Sequence, residues 1–260
     1  MSPHYGTQLP ENLEAIQRMT PAEWKAILKG DALRARQWIQ AAARLGHDEA
    51  QVVLGQWLLD GHGGPRDAAQ ALLWFLKAAE QKHAMGINMA GRCYENAWGT
   101  AADPAKAVAM YEEAAALGLD AGFYNLANQL ASGKSVQQDH LKALELYSKA
   151  ARLGHVKSLT KVGRYLEDGV VVEKNLPMAL DFYRLGAEGG DFRGQFSYAG
   201  MLAAEGKDEE ALHWLRKVEE TATPSYLLEA GGLLQDSRSE AYRRIGLNML
   251  AVAARRERAG

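Results

Sequence analysis

Ten side chains at recurring intervals could hold a polypeptide. Asn88 and Arg92, Tyr124 and Asn128, and Thr160 and Arg164 are each four residues apart, and the pairs follow one another every 36 residues. Gln56 lies one interval before Arg92, Phe196 lies one interval after Thr160, and Glu95 and Glu167 follow the arginines by three. Amide and guanidinium groups bond an extended peptide's backbone or carboxylate, and arginine does so bidentately. That is chemistry of recognition rather than turnover. The competing reading is a solvated polar face, in which Arg92 and Arg164 pair with Glu95 and Glu167 at i, i+3.

Other residues invite chemistry and lose it on spacing. His47, His83 and His155 share one register, but packed helices about 10 Å apart cannot bring two of them to one zinc at about 2 Å. No His-x-x-x-His or carboxylate–histidine cluster accompanies them, and they read as helix C-terminal residues favoured by the dipole. Cys93 is the one cysteine. It has no designated histidine, so it reads as a small residue rather than a nucleophile, and it excludes an internal disulfide framework. Gly61-His62-Gly63-Gly64-Pro65 follows no strand and lacks the Gly-Lys-Ser/Thr that grips phosphate, which leaves a turn. Glu112-Glu113, Glu209-Glu210 and Glu219-Glu220 are adjacent in sequence and splay apart on a helix. Arg243-Arg244 with Arg255-Arg256 forms a small basic patch that either docks an acidic partner or nucleic acid, or solubilises the chain's end. Trp24, Trp38, Trp74 and Trp214 fall at packing positions, and Trp57 and Trp98 near helix ends. A hydrolase or metal enzyme needs convergent titratable groups, and these spacings supply none; no catalytic residue, metal, cofactor or small-molecule substrate is expected.

Bulk properties narrow the setting. The chain has 260 residues, 47% of them hydrophobic, with formal net charge -2 and a pI near 6.4. No global field draws it to nucleic acid or anionic lipid, so nucleic acid is disfavoured as a partner. No apolar run reaches the roughly 20 residues that cross a bilayer. Met1-Ser2-Pro3-His4-Tyr5-Gly6-Thr7 has neither a basic start nor an apolar core, so no signal peptide is expected. The expectation is a cytoplasmic protein without a membrane partner.

The elements that must position these residues repeat. Gly55, Gly91, Ala127, Gly163 and Ala199 form one ladder at 36-residue steps; Ala71, Ala107, Ala143 and Ala179 form another; Phe75, Tyr111, Tyr147 and Tyr183 a third. A fixed period of this length marks stacked supersecondary units. Each unit opens with a helix, A, whose third and eighth slots are nearly always small and whose eleventh is large, a stripe of a 3.6-residue helix that faces the core. A glycine turn follows. A second helix, B, then starts at a cap such as Asp67, Asp103-Pro104 or Asp139, carries an aromatic and an Ala-Ala pair, and closes at Gly118, Gly154 or Gly190.

This pattern resembles the Sel1-like repeat, a relative of the tetratricopeptide repeat, over residues 31 to about 257. It departs at Lys82, which replaces a closing glycine, and at the short turn Glu205-Gly206-Lys207-Asp208. Residues 1–30 form an N-terminal helical cap, with a capping box at Thr20-Pro21-Ala22-Glu23 and a helix over 21–29. Residues 31–223 form the array: a half repeat 31–47 and full repeats 48–83, 84–119, 120–155, 156–191 and 192–223. Residues 224–260 form a degenerate last repeat and basic C-terminal cap. The resemblance implies an all-α, right-handed α-solenoid of helix-turn-helix repeats, about 13 to 15 helices in one continuous array, with the A helices on a concave surface. In that setting Gln56, Asn88, Arg92, Glu95, Tyr124, Asn128, Thr160, Arg164, Glu167 and Phe196 line a groove that binds a peptide or protein segment. The expected function is a non-catalytic bacterial adaptor or scaffold. The alternative is an accessory subunit of an enzyme or signalling pathway, acting through the convex face or the basic C-terminal cap.

Overall fold

Start and stop signals set the helices. Asp67, Asp103, Asp139 and Asn175 each accept the backbone N–H three residues on, satisfying a donor that the first turn leaves free. Left-handed backbone at Gly61, Ala97, Gly133 and Gly169 ends the preceding helices. The computed structural model describes residues 9–259. Among these residues it contains fifteen α-helices and no strand, an all-α solenoid-class fold. The leaderless start expected for residues 1–7, and the first eight residues of the N-terminal cap, lie outside the described residues.

The chain divides into two units, one up to Gln138 and one from Asp139. The first holds α1 (Leu13–Gln17), α2 (Pro21–Leu28), α3 (Ala32–Arg44), α4 (Asp48–Asp60), α5 (Ala68–Glu80), α6 (Ala84–Asn96), α7 (Pro104–Ala116) and α8 (Asp120–Ser132). The second holds α9 (His140–Arg152), α10 (Val156–Asp168), α11 (Leu176–Glu188), α12 (Phe192–Ala204), α13 (Asp208–Thr221), α14 (Pro224–Gln235) and α15 (Glu240–Ala259). The A helices are α4, α6 and α8 in the first unit and α10 and α12 in the second.

In the first unit, neighbours in sequence pack in space from α3 through α8, and A helices also meet at α4–α6 and α6–α8. The small slots explain how. Phe75 and Tyr111 are fully buried, their rings lying where a Cβ on Gly55 or Gly91 would come within 2.5 and 2.9 Å. Gly122 of α8 meets the backbone of α7, where a Cβ would lie 2.7 Å from the Ala115 nitrogen. Small residue and large ring are thus two halves of one contact. Ahead of this array, the Thr20–Glu23 capping box forms, and Trp24 meets Trp38 edge-on at 5.1 Å. Arg36 donates to the carbonyls of His62 and Pro65, fastening the glycine-rich turn to α3.

The second unit repeats the scheme: Tyr183 lies against Gly163, and its end is closed by α14 and α15 around Leu227, Met249 and Ala253. Arg256 donates to the carbonyls of Ala222, Glu219 and Glu220 at 2.7, 2.9 and 3.0 Å. It caps the C-terminal end of α13 instead of facing solvent.

The histidines correct one expectation. His47 and His83 are N-caps of the A helices that follow them, their Nδ1 atoms accepting from the Ala50 and Gly86 amides at 3.2 and 3.3 Å. The turn between helices is so short that the residue ending one hairpin starts the next. His155 holds the same place, with Nδ1 2.9 Å from the Ser158 hydroxyl.

Candidate functional site

The A helices carry the candidate residues, and the two units place them differently. In the first unit, Gln56 is half-buried and donates to Asp60 at 2.8 Å. Asn88 is 3% exposed and accepts from the Asn125 amide at 2.8 Å, tying α6 to α8. Expected to face outward, it is turned inward, because α8 packs directly over that side of α6. Arg92 is half-buried, its guanidinium 5.1 Å from the centre of the Trp98 ring. Tyr124 and Asn128 are half-buried on α8.

Glu95 accepts two short hydrogen bonds, from the Tyr111 hydroxyl and the Gln129 amide, both at 2.6 Å. One carboxylate thereby joins α6, α7 and α8. In the second unit Glu167 accepts from the Tyr183 hydroxyl, also at 2.6 Å. The i, i+3 ion pairs Arg92–Glu95 and Arg164–Glu167 therefore do not form. The reason is the buried ring: a tyrosine hydroxyl at the end of a closed core needs an acceptor, and the carboxylate sixteen residues earlier supplies it. Burial first, and then these hydrogen bonds, push both phenols far above the usual tyrosine range. Both hydroxyls thus keep the proton that they donate, and the arginines are left without these carboxylates.

Thr160 also departs from its expected outward place. It is 8% exposed and donates to Asp191 at 2.6 Å. Glycines explain its position, since a Cβ on Gly186 or Gly194 would lie 2.6 or 2.7 Å from its hydroxyl. Arg164 is exposed on α10, and Phe196 is half-buried with its ring 6.1 Å from Tyr226. Of the ten candidates, then, Asn88, Thr160, Glu95 and Glu167 tie helices together, while Arg92 and Arg164 have no carboxylate partner among the described residues.

Sequence reasoning passed over Lys161, half-buried beside Arg164. Its slot borders the core stripe, and the available signal was its spacing from Lys157 and Arg164. Burial first, then Arg193 and Arg164, hold its ammonium below the usual lysine range.

Catalytic and metal chemistry gain no support. Cys93 is buried in α6, and burial raises its thiol to about 11 despite Arg92 nearby. Among the described residues, no three histidine, cysteine or carboxylate side chains gather as for a metal ion. No helix among them is long and apolar enough to cross a membrane. In the basic C-terminal patch, Arg243 donates to the carbonyls of Ser237 and Arg238 and Arg256 to α13, so half of that patch serves the backbone.

Comparison with known proteins agrees with this architecture. The sequence model of the Sel1 repeat matches residues 26–47, 48–83, 84–119, 124–155 and 156–191. The hairpins from α12 onward lie beyond those matches. A Sel1 repeat protein from Oxalobacter formigenes superposes with a TM-score of 0.75 at 20% identity, over 90% of this chain and 99% of its own. The c5321 protective antigen of uropathogenic Escherichia coli strains, which displays an SLR fold, gives a TM-score of 0.65 at 27% identity. That match covers 94% of this chain and 55% of the antigen, so the chain spans about half of that protein. Immunity protein Pa5087 from Pseudomonas aeruginosa gives 0.56 at 16% identity, over 80% and 81% of the two chains, and shows likeness of fold alone. No curated protein matches by sequence. Sel1 repeat proteins are in general scaffolds for protein interaction, and their fold is typically non-catalytic. The matched stretches cover more than half of the chain, on the very hairpins that the glycine, alanine and tyrosine slots build, and the chain belongs to the Sel1 repeat family.

Proposed function

We propose that this protein is a non-catalytic adaptor whose A helices take up a segment of a partner protein, each unit presenting its own face. The observation that carries the reading is the release of the arginines. Glu95 and Glu167 are committed to tyrosines, so Arg92 and Arg164 retain donors for an external carboxylate or backbone carbonyl. Residues 31–223 supply the recognition array in this reading, and residues 1–30 and 224–260 close its ends. The cytoplasm suits a chain whose lone cysteine is a buried core residue. The alternative docking site on the basic C-terminal cap is disfavoured, because Arg243 and Arg256 already serve backbone carbonyls.

The test substitutes Arg92 and Asn128 in the first unit, Arg164 in the second, and all three together with alanine. Partner capture from native lysate is then compared with the thermal melt of each variant. The expected outcome is loss of the partner captured by the unsubstituted chain, with the melting temperature nearly unchanged. Undiminished capture by the triple variant would overturn the assignment.

A further inference from the structure

On one stripe of the second unit, four cations stand without an ion pair among the described residues. Lys157, Lys161 and Arg164 stand at i, i+4 and i+7 on α10, one face of a 3.6-residue helix. Arg193 holds on α12 the slot that Lys157 holds on α10, and these two helices are in contact. Its guanidinium lies 4.7 Å from the centre of the Phe192 ring and 5.1 Å from that of Tyr226 in α14, a cation braced by aromatic faces. Like charges one turn apart disfavour the helix that carries them, and the acids close by, Asp168 four residues after Arg164 and Asp191, which acts on Lys161, form no ion pair with them among the described residues. Glu167 is bonded to Tyr183, and Asp191 accepts from Thr160 and the Gly194 amide. The ion pairs among the described residues of this unit involve Lys142, Arg184 and Lys207 instead. Burial first, and then Arg193 and Arg164, depress the Lys161 ammonium.

We propose that this stripe binds an acidic segment of a partner protein, with carboxylates meeting Lys161, Arg164 and Arg193, and chain atoms resting against Phe192 and Tyr226. The proposal rests on the adaptor reading and gives the chemistry of what the second unit takes. A guanidinium fork fits carboxylate and phosphate alike, but the surroundings favour a short acidic peptide over a nucleic acid. Glu167 and Asp168 end the α10 stripe, Glu229 lies one helical turn beyond Tyr226, and the whole chain is formally at -2. A continuous phosphate backbone would leave the cations and run onto those acids.

Fluorescence anisotropy of fluorescein-labelled hexaglutamate with the full chain tests this. Labelled hexalysine and an oligothymidylate of matched charge serve as the other arms. Saturable binding of hexaglutamate that weakens with added salt is expected, with weaker binding in both other arms. The double variant Arg164→Gln/Arg193→Gln should weaken it by about tenfold or more, because close charge pairs at an interface carry coupling of that order. Lys161→Met, which keeps the buried stem, should weaken it as well. Arg255→Gln, at an exposed position of α15, should leave it unchanged. No saturable binding, equal loss with Arg255→Gln, or tighter oligothymidylate binding would each overturn the proposal. The captured partner separates this proposal from the adaptor reading. Loss of the partner from Arg92→Ala/Asn128→Ala, with retention by Arg164→Gln/Arg193→Gln, sinks the acidic segment and leaves the adaptor standing. Retention by both sinks both.

Discussion

Lys82 shows how a single departure from the repeat is tolerated. Its φ is 61°, in the left-handed region where Gly46, Gly118, Gly154 and Gly190 sit at the same point of their hairpins. A side chain there costs about 1–2 kcal/mol, and the exposed 2.8 Å ion pair with Glu113 offsets at most about 1 kcal/mol. Lys82→Gly should therefore stabilise the protein by about 0.5 kcal/mol, the backbone gain exceeding the lost pair. Thermal melts at low and high salt check this, and a destabilised variant would mean that the ion pair dominates. At this scale, what the sequence concealed was the identity of partners. Spacing alone pointed Glu95 and Glu167 at the arginines three residues before them. The acceptor demand of a buried hydroxyl sixteen residues later was the stronger claim. The signal was present, since Glu95 recurs with Tyr111 and Glu167 with Tyr183 at one spacing.

At the scale of the helix, the repeat was legible because its small slots are contact requirements. Gly91 and Gly163 must be small where Tyr111 and Tyr183 are large, so the period survives in the sequence. Orientation at the stripe's edge was less legible. Asn88 and Thr160 occupy a slot that faces outward on an isolated hairpin, and the next A helix or its cap covers them. The histidines were misplaced by three residues of turn, read as the end of one helix when they begin another. This yields a prediction for α6: His83→Ala should cost about 1 kcal/mol, as lost N-caps do. His83→Asp should retain stability, because Asp191 does the same task for α12. Equal loss in both would show that the imidazole contributes packing instead of a cap; chemical denaturation of the three proteins decides it.

For the molecule as a whole, no composition change or linker in the sequence announced a division, yet the chain separates between Gln138 and Asp139. The turn just before that point exposes Gly133, Lys134, Gln137 and Gln138. Exposed turns between cooperative units are where proteases enter first. Limited trypsin digestion is expected to cut initially after Lys134, giving two fragments near half length by mass spectrometry. Initial cleavage after Lys174, in the corresponding turn of the second unit, would contradict that expectation. The function remained less legible than the fold because binding chemistry rests on which cations are left over once the core has taken its acceptors, and no period in the sequence records that remainder.

The two kinds of connection are not equivalent. Three residues join α5 to α6, α7 to α8 and α11 to α12, whereas the turns after α6 and α10 have seven and the turn after α12 only three. In the first kind, one residue both closes a helix and opens its successor, as His83 does with its amide on Ala78 and its ring on Gly86. Insertions and deletions can accumulate only in the other kind. Affinity tags, grafted epitopes or lineage-specific embellishments should therefore be accepted beside Gly99 or Gly169 and rejected beside Gly118 or Gly190, giving the chain a permissive margin and a forbidden one.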